Sequence, residues 1–253
     1  MCGRYCITTA PEAIRALFRY RDRPNFPPRY NVAPTQPVPI VRVVEGERHF
    51  ALVRWGLIPP WVKDPRTFTL VVNARGETVN EKPAFRNAMK RRRCLFPADG
   101  FYEWRQEGRA KRPFHVRAKD GEPIAFAGLW ETWMGPNGEE VDSVAIVTAP
   151  ASRDLAALHH RVPVTIAPDE FERWLDGRAH DADEVMALLT GPAEGEFAWH
   201  EISTRVNRVA NDDAQLLLPI TDEEREAEAP KPKKAARKAA SSAPEDEGQG
   251  SLF

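Results

Sequence analysis

Prolines punctuate this chain so densely that long helices have little room: there are 23 in 253 residues, against a usual ~5%. Proline lacks a backbone N–H and breaks helix interiors, so the chain must be built from turns, short strands and ordered loops. The clearest apolar run, Ile124 to Trp130, falls far short of the ~18 residues of a membrane-spanning helix. A chain of this length can bury a full core without disulfides or metals.

Hydrophobic spacing fills in the elements. Thr9-Ala10-Pro11-Glu12 reads as a capping box opening a short helix to Phe18. Segments 38–44, 50–55 and 67–73 read as strands, being rich in Val, Phe and Thr. Residues 83–91 have helical spacing, and strands follow at 94–98, 101–105, 113–118, 123–130 and 142–148. Pro168 opens a helix to Leu175, Asp181 with Glu184 caps another to Leu189, and a strand near 199–204 closes the domain. Hairpin-like strands with scattered helices predict an α+β fold, a mostly antiparallel sheet core with flanking short helices in a single domain over 1–220.

Charge is zoned. Residues 1–118 carry 23 Lys and Arg against 10 Asp and Glu, whereas 119–220 carry 7 against 19. The basic half is either a surface for a polyanion or the complement of the acidic half, with which folding pairs it. From 221 on, the chain is Glu, Lys, Ala, Pro and Ser without aromatics until Gln249-Gly250-Ser251-Leu252-Phe253. Such a composition cannot offset its ordering entropy, and 221–253 is expected to be a disordered tail. Three cysteines form no disulfide framework and no zinc spacing, so neither metal nor cofactor is expected. With no apolar leader, the expected location is the cytoplasm.

Cys2 follows Met1 directly. Removal of Met1 would leave an α-amine and a thiol on adjacent carbons, with reference pKa values near 8 and 8.5. That pair traps aldehydes: the amine forms a Schiff base and the thiol closes a thiazolidine ring. A lone cysteine near a terminus is more often a packed, inert side chain. The company it keeps is more specific. Met1-Cys2-Gly3-Arg4-Tyr5 is followed by Arg29-Tyr30-Asn31-Val32-Ala33-Pro34, Trp55-Gly56-Leu57-Ile58-Pro59 and Asn73-Ala74-Arg75-Gly76-Glu77-Thr78. Then come Gly100-Phe101-Tyr102-Glu103-Trp104, His159-His160-Arg161-Val162-Pro163 and Val206-Asn207-Arg208-Val209-Ala210-Asn211.

In these motifs, over about residues 2–218, the chain resembles the SOS-response-associated peptidase family, also called abasic-site processing proteins. The resemblance implies a barrel-like core and covalent crosslinking to abasic sites in single-stranded DNA, whose open-chain sugar carries an aldehyde. It implies Cys2 as nucleophile, Asn73 holding the N-terminal residue, and Glu103 and His159 moving protons. The family pattern His-x-Arg-Met-Pro selects His159 over His160, with Val162 standing where Met is commoner. Arg4, Arg75 and Arg161 match family arginines and are expected to grip phosphates. Trp61, between prolines and Val-Lys-Asp-Pro, is expected as a stacking wedge at a loop tip. Strand cleavage by β-elimination and crosslink reversal belong to the same expectation, as does association with the nucleoid at replication forks.

Two other readings use the same residues: a thiol peptidase built on Cys2, Glu103 and His159, and a passive single-stranded DNA-binding module. Finally, Gln249, Leu252 and Phe253 resemble the anchors by which bacterial proteins dock on the replication sliding clamp, with Gly250 standing where Leu is usual.

Overall fold

The computed structural model describes residues 2–108 and 110–228. Twelve strands run in chain order: β1 (Tyr5–Ile7), β2 (Arg29–Val32), β3 (Pro37–Val44), β4 (Glu47–Trp55), β5 (Asn73–Arg75), β6 (Arg93–Ala98), β7 (Gly100–Glu107), β8 (Ala110–Ala118), β9 (Ile124–Met134), β10 (Glu140–Pro150), β11 (Arg161–Pro163) and β12 (Phe197–Glu201). Four short α-helices flank them: α1 (Pro11–Phe18), α2 (Arg86–Arg91), α3 (Phe171–Leu175) and α4 (Asp222–Ala227). The α+β class and the mostly antiparallel, barrel-like core match the sequence expectation.

One sheet runs β12-β8-β7-β1-β2. In the other, β10-β4-β3-β6-β9 closes on itself because β9 pairs back onto β10. Strand β10 is shared along its length. Glu140 to Ile146 pair antiparallel with β9, and Ser143 and Val144 pair parallel with β4. Beyond them, Ile146 to Thr148 pair parallel with β5, and Thr148 to Pro150 pair antiparallel with β11. A parallel neighbour needs a crossover rather than a hairpin, and the stretch from 56 to 72 supplies part of one.

Period-two alternation sorts the closed sheet's side chains into two cores. Phe96, Phe126, Val144 and Ile146 join Tyr5, Phe101 and Phe114 of the other sheet. Leu95, Ala127, Leu129, Ala145 and Val147 instead pack with α1 and α3 through Phe18, Phe171 and Trp174. Tyr5 meets Trp55, Phe96 and Phe126 edge-on at centroid distances of 5.5, 6.4 and 6.2 Å, a geometry the ring quadrupoles favour.

Several local expectations are corrected. The Thr9–Glu12 capping box does not form: Ala10 is the N-cap, with no side-chain bond. Thr9 instead donates from both N–H and hydroxyl to Asp99, a carboxylate that outbids a local cap. Of the 67–73 segment, Val71 makes one bridge to Leu57 and Asn73 begins β5; the rest is loop. The 181–189 helix is a 3-10 turn over Glu184–Leu188, with Asp181 accepting from Glu184 N–H at 2.8 Å. The composition of 221–228 suggested disorder, yet Thr221 and Glu224 close a capping box on α4. The helix docks through Arg225 to Glu201 at 2.7 Å and Ser203 to Glu228 at 2.6 Å. Residues 229–253, with the expected clamp motif, lie outside the described residues.

The zoned charges pair across the halves: Arg29 with Asp212, Arg42 with Asp142, Arg92 with Glu131 and Arg112 with Glu201. These four cations of the basic half are therefore internal complement rather than open surface. Among the described residues, no helix is long and apolar enough to cross a membrane.

Candidate active site

The antiparallel register of β1 on β7 brings the N-terminal segment to Glu103. Tyr5 faces Phe101, Cys6 faces Gly100, and Tyr102 N–H donates to Arg4 O at 3.0 Å. Carrying that register back sets Gly3 level with Glu103 and Cys2 level with Trp104, the residue next to it. Gly100 is required where β7 begins beside β8: a Cβ there would lie 2.4 Å from His115 Nε2 and 2.7 Å from Val116 O. Tyr102 OH donates to Tyr30 O, pinning β7 against β2.

Cys2 is fully buried and packs in the core that holds Tyr5 and Trp55. Asn73, first residue of β5, donates from Nδ2 to Cys2 O at 2.9 Å. Its Oδ1 is buried and accepts no hydrogen bond among the described residues. An orphaned acceptor beside Cys2 is a receptor for a donor on an incoming group. Burial pushes the Cys2 thiol well above its ordinary range, and the Glu103 carboxylate adds to the shift. The resting sulfur is therefore a thiol rather than a thiolate.

Glu103 is 3% exposed. Burial pushes its carboxyl up to about 7, which poises it to give and take protons near neutrality. His159 follows the 3-10 turn Leu155–Ala157. Its Nδ1 lies 2.9 Å from Arg161 N and 3.1 Å from Arg161 O, which anchors that edge of the ring to the backbone. Burial holds its pKa below the usual imidazole value. The ring stacks on His160, centroids 4.3 Å apart.

Glu103 and His159 line one cavity of about 410 Å³ with Trp104, Lys111 and Asn207. Trp104 Nε1 donates to Asn207 Oδ1 at 2.8 Å, and the Arg4 guanidinium lies 5.9 Å from the indole centroid. A larger cavity of about 1050 Å³, between Leu17, Ile124, Phe171 and Phe197, contains none of these groups. The sequence motifs contained Trp104 and Asn207, but the reading of roles passed over them. Lys111 sits in no motif at all.

The expected arginines differ in availability. Arg75 is exposed. Arg4 Nη1 is held by Asn31 Oδ1 and Val206 O, both at 2.7 Å. The expectation of Arg161 as an open phosphate grip needs correction: the residue is 8% exposed. Its fork closes on Glu77, with Nη2 to Oε2 at 2.9 Å, and Nη2 also donates to Thr148 O. A bidentate carboxylate occupies the geometry a phosphate would take. Trp61 is 59% exposed at a loop tip, its ring edge-on to Phe68 at 5.6 Å.

A family model described as SOS response associated peptidase (SRAP) matches residues 1–209. The chain is 34% identical over 221 residues to the abasic site processing protein YoaM of Bacillus subtilis, covering 86% of this chain and 97% of that one. It is 33% identical to the abasic site processing protein YedK of Escherichia coli, covering 87% of this chain and all of that one. A crystal structure of a Bacteroides thetaiotaomicron protein superposes with a TM-score of 0.78 at 25% identity, over 87% of this chain and all of that one.

Proposed function

The chain belongs to the SOS response associated peptidase family, and from that membership we propose that it processes abasic sites in single-stranded DNA by joining Cys2 to the lesion's aldehyde. The observation that carries the reading is the Asn73 amide bonded to the Cys2 carbonyl at 2.9 Å, with the Glu103 carboxyl near enough for its charge to act on the Cys2 thiol.

Once Met1 is removed, the free α-amine of Cys2 adds to C1′ of the open sugar. The carbinolamine loses water to give an imine. The thiol then adds to the imine carbon, its proton passing to the nitrogen, and the thiazolidine ring closes with one water released overall. A carboxyl poised near 7 suits Glu103 to protonate the departing hydroxyl and then to take the thiol proton. Because the thiol rests protonated, the amine acts first. The His159 imidazole serves the sugar oxygen during ring opening, and Asn73 Oδ1 accepts from the new ring N–H. The imine also acidifies the C2′ hydrogens, opening a route to strand cleavage by β-elimination, and the same proton transfers run backwards would reverse the crosslink. Arg4 and Arg75 contact the flanking phosphates, with Trp61 against a neighbouring base.

The test is a denaturing gel of the protein with abasic single-stranded DNA. Wild type should give a shifted band and Cys2→Ala none. Cys2→Ser, which keeps the amine, should give one only after borohydride. No band from Met1-processed wild type would end the crosslinking reading. A thiol peptidase would need a reactive thiolate, which the buried Cys2 does not offer at rest. It predicts that Met1 persists in Glu103→Ala, whereas ordinary aminopeptidase trimming removes it regardless; intact mass decides. For the terminal Gln249, Leu252 and Phe253, a sliding-clamp pulldown should lose its signal when the last five residues are deleted, and equal binding removes the idea.

A further inference from the structure

The geometry points to Lys111 as a phosphodiester anchor of this site, gripping the strand beside the reacting sugar. The inference rests on the reading of the protein as a processor of abasic single-stranded DNA, and it names the cation that meets the substrate in the pocket.

Three observations converge. First, among the described residues that line the Glu103–His159 cavity, Lys111 is the one cation. Second, the guanidiniums that sequence reasoning put forward are largely engaged. Arg161 is closed onto Glu77 and Thr148, and Arg4 Nη1 onto Asn31 and Val206. Arg112, the next residue to Lys111, faces Glu201 at 3.4 Å and Glu107 at 3.8 Å. Lys111 is exposed and makes no ion pair among the described residues. Third, its base is fixed. Lys111 pairs with Gln106 across the β7–β8 ladder, which by alternation puts it on the Trp104 face of the sheet, two residues or about 7 Å along the strand from Trp104. The cavity joins that face to Glu103. A sugar reacting near Glu103 would thus have a neighbouring phosphate on the Lys111 side. The ammonium is a point charge on a flexible stem and places little demand on the phosphate's orientation. That suits a site defined by an aldehyde rather than by base sequence.

The experiment measures fluorescence anisotropy of an undamaged oligothymidylate across a salt series for wild type, Lys111→Gln and Lys111→Arg. Reaction of processed Cys2 with propionaldehyde, read by intact mass, runs alongside. Lys111→Gln should weaken binding on the order of fivefold and lower the slope of log K against log salt by about 0.7, one phosphate's worth on a single strand. Lys111→Arg should restore the slope, and the propionaldehyde reaction should be unchanged in both, showing an intact pocket. Wild-type affinity and slope in Lys111→Gln would overturn the proposal. The two readings separate cleanly. A Lys111-dependent slope without any covalent product on abasic DNA would end the crosslinking reading and leave the anchor. A covalent product with a Lys111-independent slope would end the anchor alone. Failure of wild type to bind single strands at low salt would end the anchor, and the gel with abasic DNA decides the crosslinking reading on its own.

Discussion

Burial puts the Glu103 proton near neutrality, and the same shift links the site's chemistry to the protein's stability. The carboxyl is near 4.5 when unfolded and about 7 when folded, so between those values the native state holds a proton that the unfolded chain has lost. Its contribution to stability is therefore complete below about pH 4.5 and drains away as pH rises through 7. Glu103→Gln removes that dependence. Urea melts should show the variant gaining on wild type from pH 4.5 to 7, with a constant gap above, as large as about 3 kcal/mol. Crosslinking should slow by about a hundredfold and lose its inflection near neutrality. Asn73 makes a second test. Its amide is the donor to the Cys2 carbonyl, and Asn73→Asp would set a carboxylate oxygen against that carbonyl. The Asp variant should be less stable than Asn73→Ala, each losing about 1–3 kcal/mol, and both should crosslink slowly at saturating DNA.

At the level of elements, the loop that brings Asn207 to the cavity is held by one fully buried side chain of β2. Asn31 donates from Nδ2 to Val206 O, Arg208 O and Asn211 O at 3.1, 3.1 and 2.7 Å, and accepts from Arg4. Asn31→Ala strands several buried carbonyls and releases Arg4. Weaker DNA binding is expected with little change in the propionaldehyde reaction of Cys2, a split that a collapsed core would not give. Long strands such as β3, β9 and β10 were legible because alternation repeats enough to register. Three-residue β1 and β11 were not, since one period of alternation carries no signal. The motifs singled out Cys2, Asn73, Glu103 and His159, and the structure brings Asn73 to Cys2 and Glu103 to His159. Arg161 was misread because its partner Glu77 lies 84 residues away, a distance no local pattern spans. Lys111 was passed over because a hairpin lysine looks, in sequence, like any solvated charge.

For the whole molecule, the boundary at 220 that composition suggested falls inside a docked segment. Glu228 accepts from Ser203 Oγ and Thr204 N–H at 2.6 and 2.9 Å, and Arg225 reaches Glu201. A chain ended at residue 220 should be about 1–2 kcal/mol less stable than one ended at 228 in urea melts, with crosslinking intact in both. The pairing of basic and acidic halves has a solution consequence as well. Raising salt should weaken DNA binding through the exposed cations while leaving the partly buried pairs Arg42–Asp142 and Arg92–Glu131 in place.

The β9–β10 hairpin turns at an exposed tip over residues 135–139. A nick there divides the molecule so that Cys2, Asn73, Glu103 and Lys111 fall on one fragment and His159 and Asn207 on the other. Seven ladder pairs between the two strands, from Glu140 opposite Met134 to Ile146 opposite Gly128, supply the seam for rejoining. On the proposed chemistry, each fragment carries half of a reaction that joins nucleic acid covalently to Cys2. Fused to two interacting proteins, the fragments would act as a split reporter, recording each encounter as a nucleic acid barcode attached to the fragment that bears Cys2.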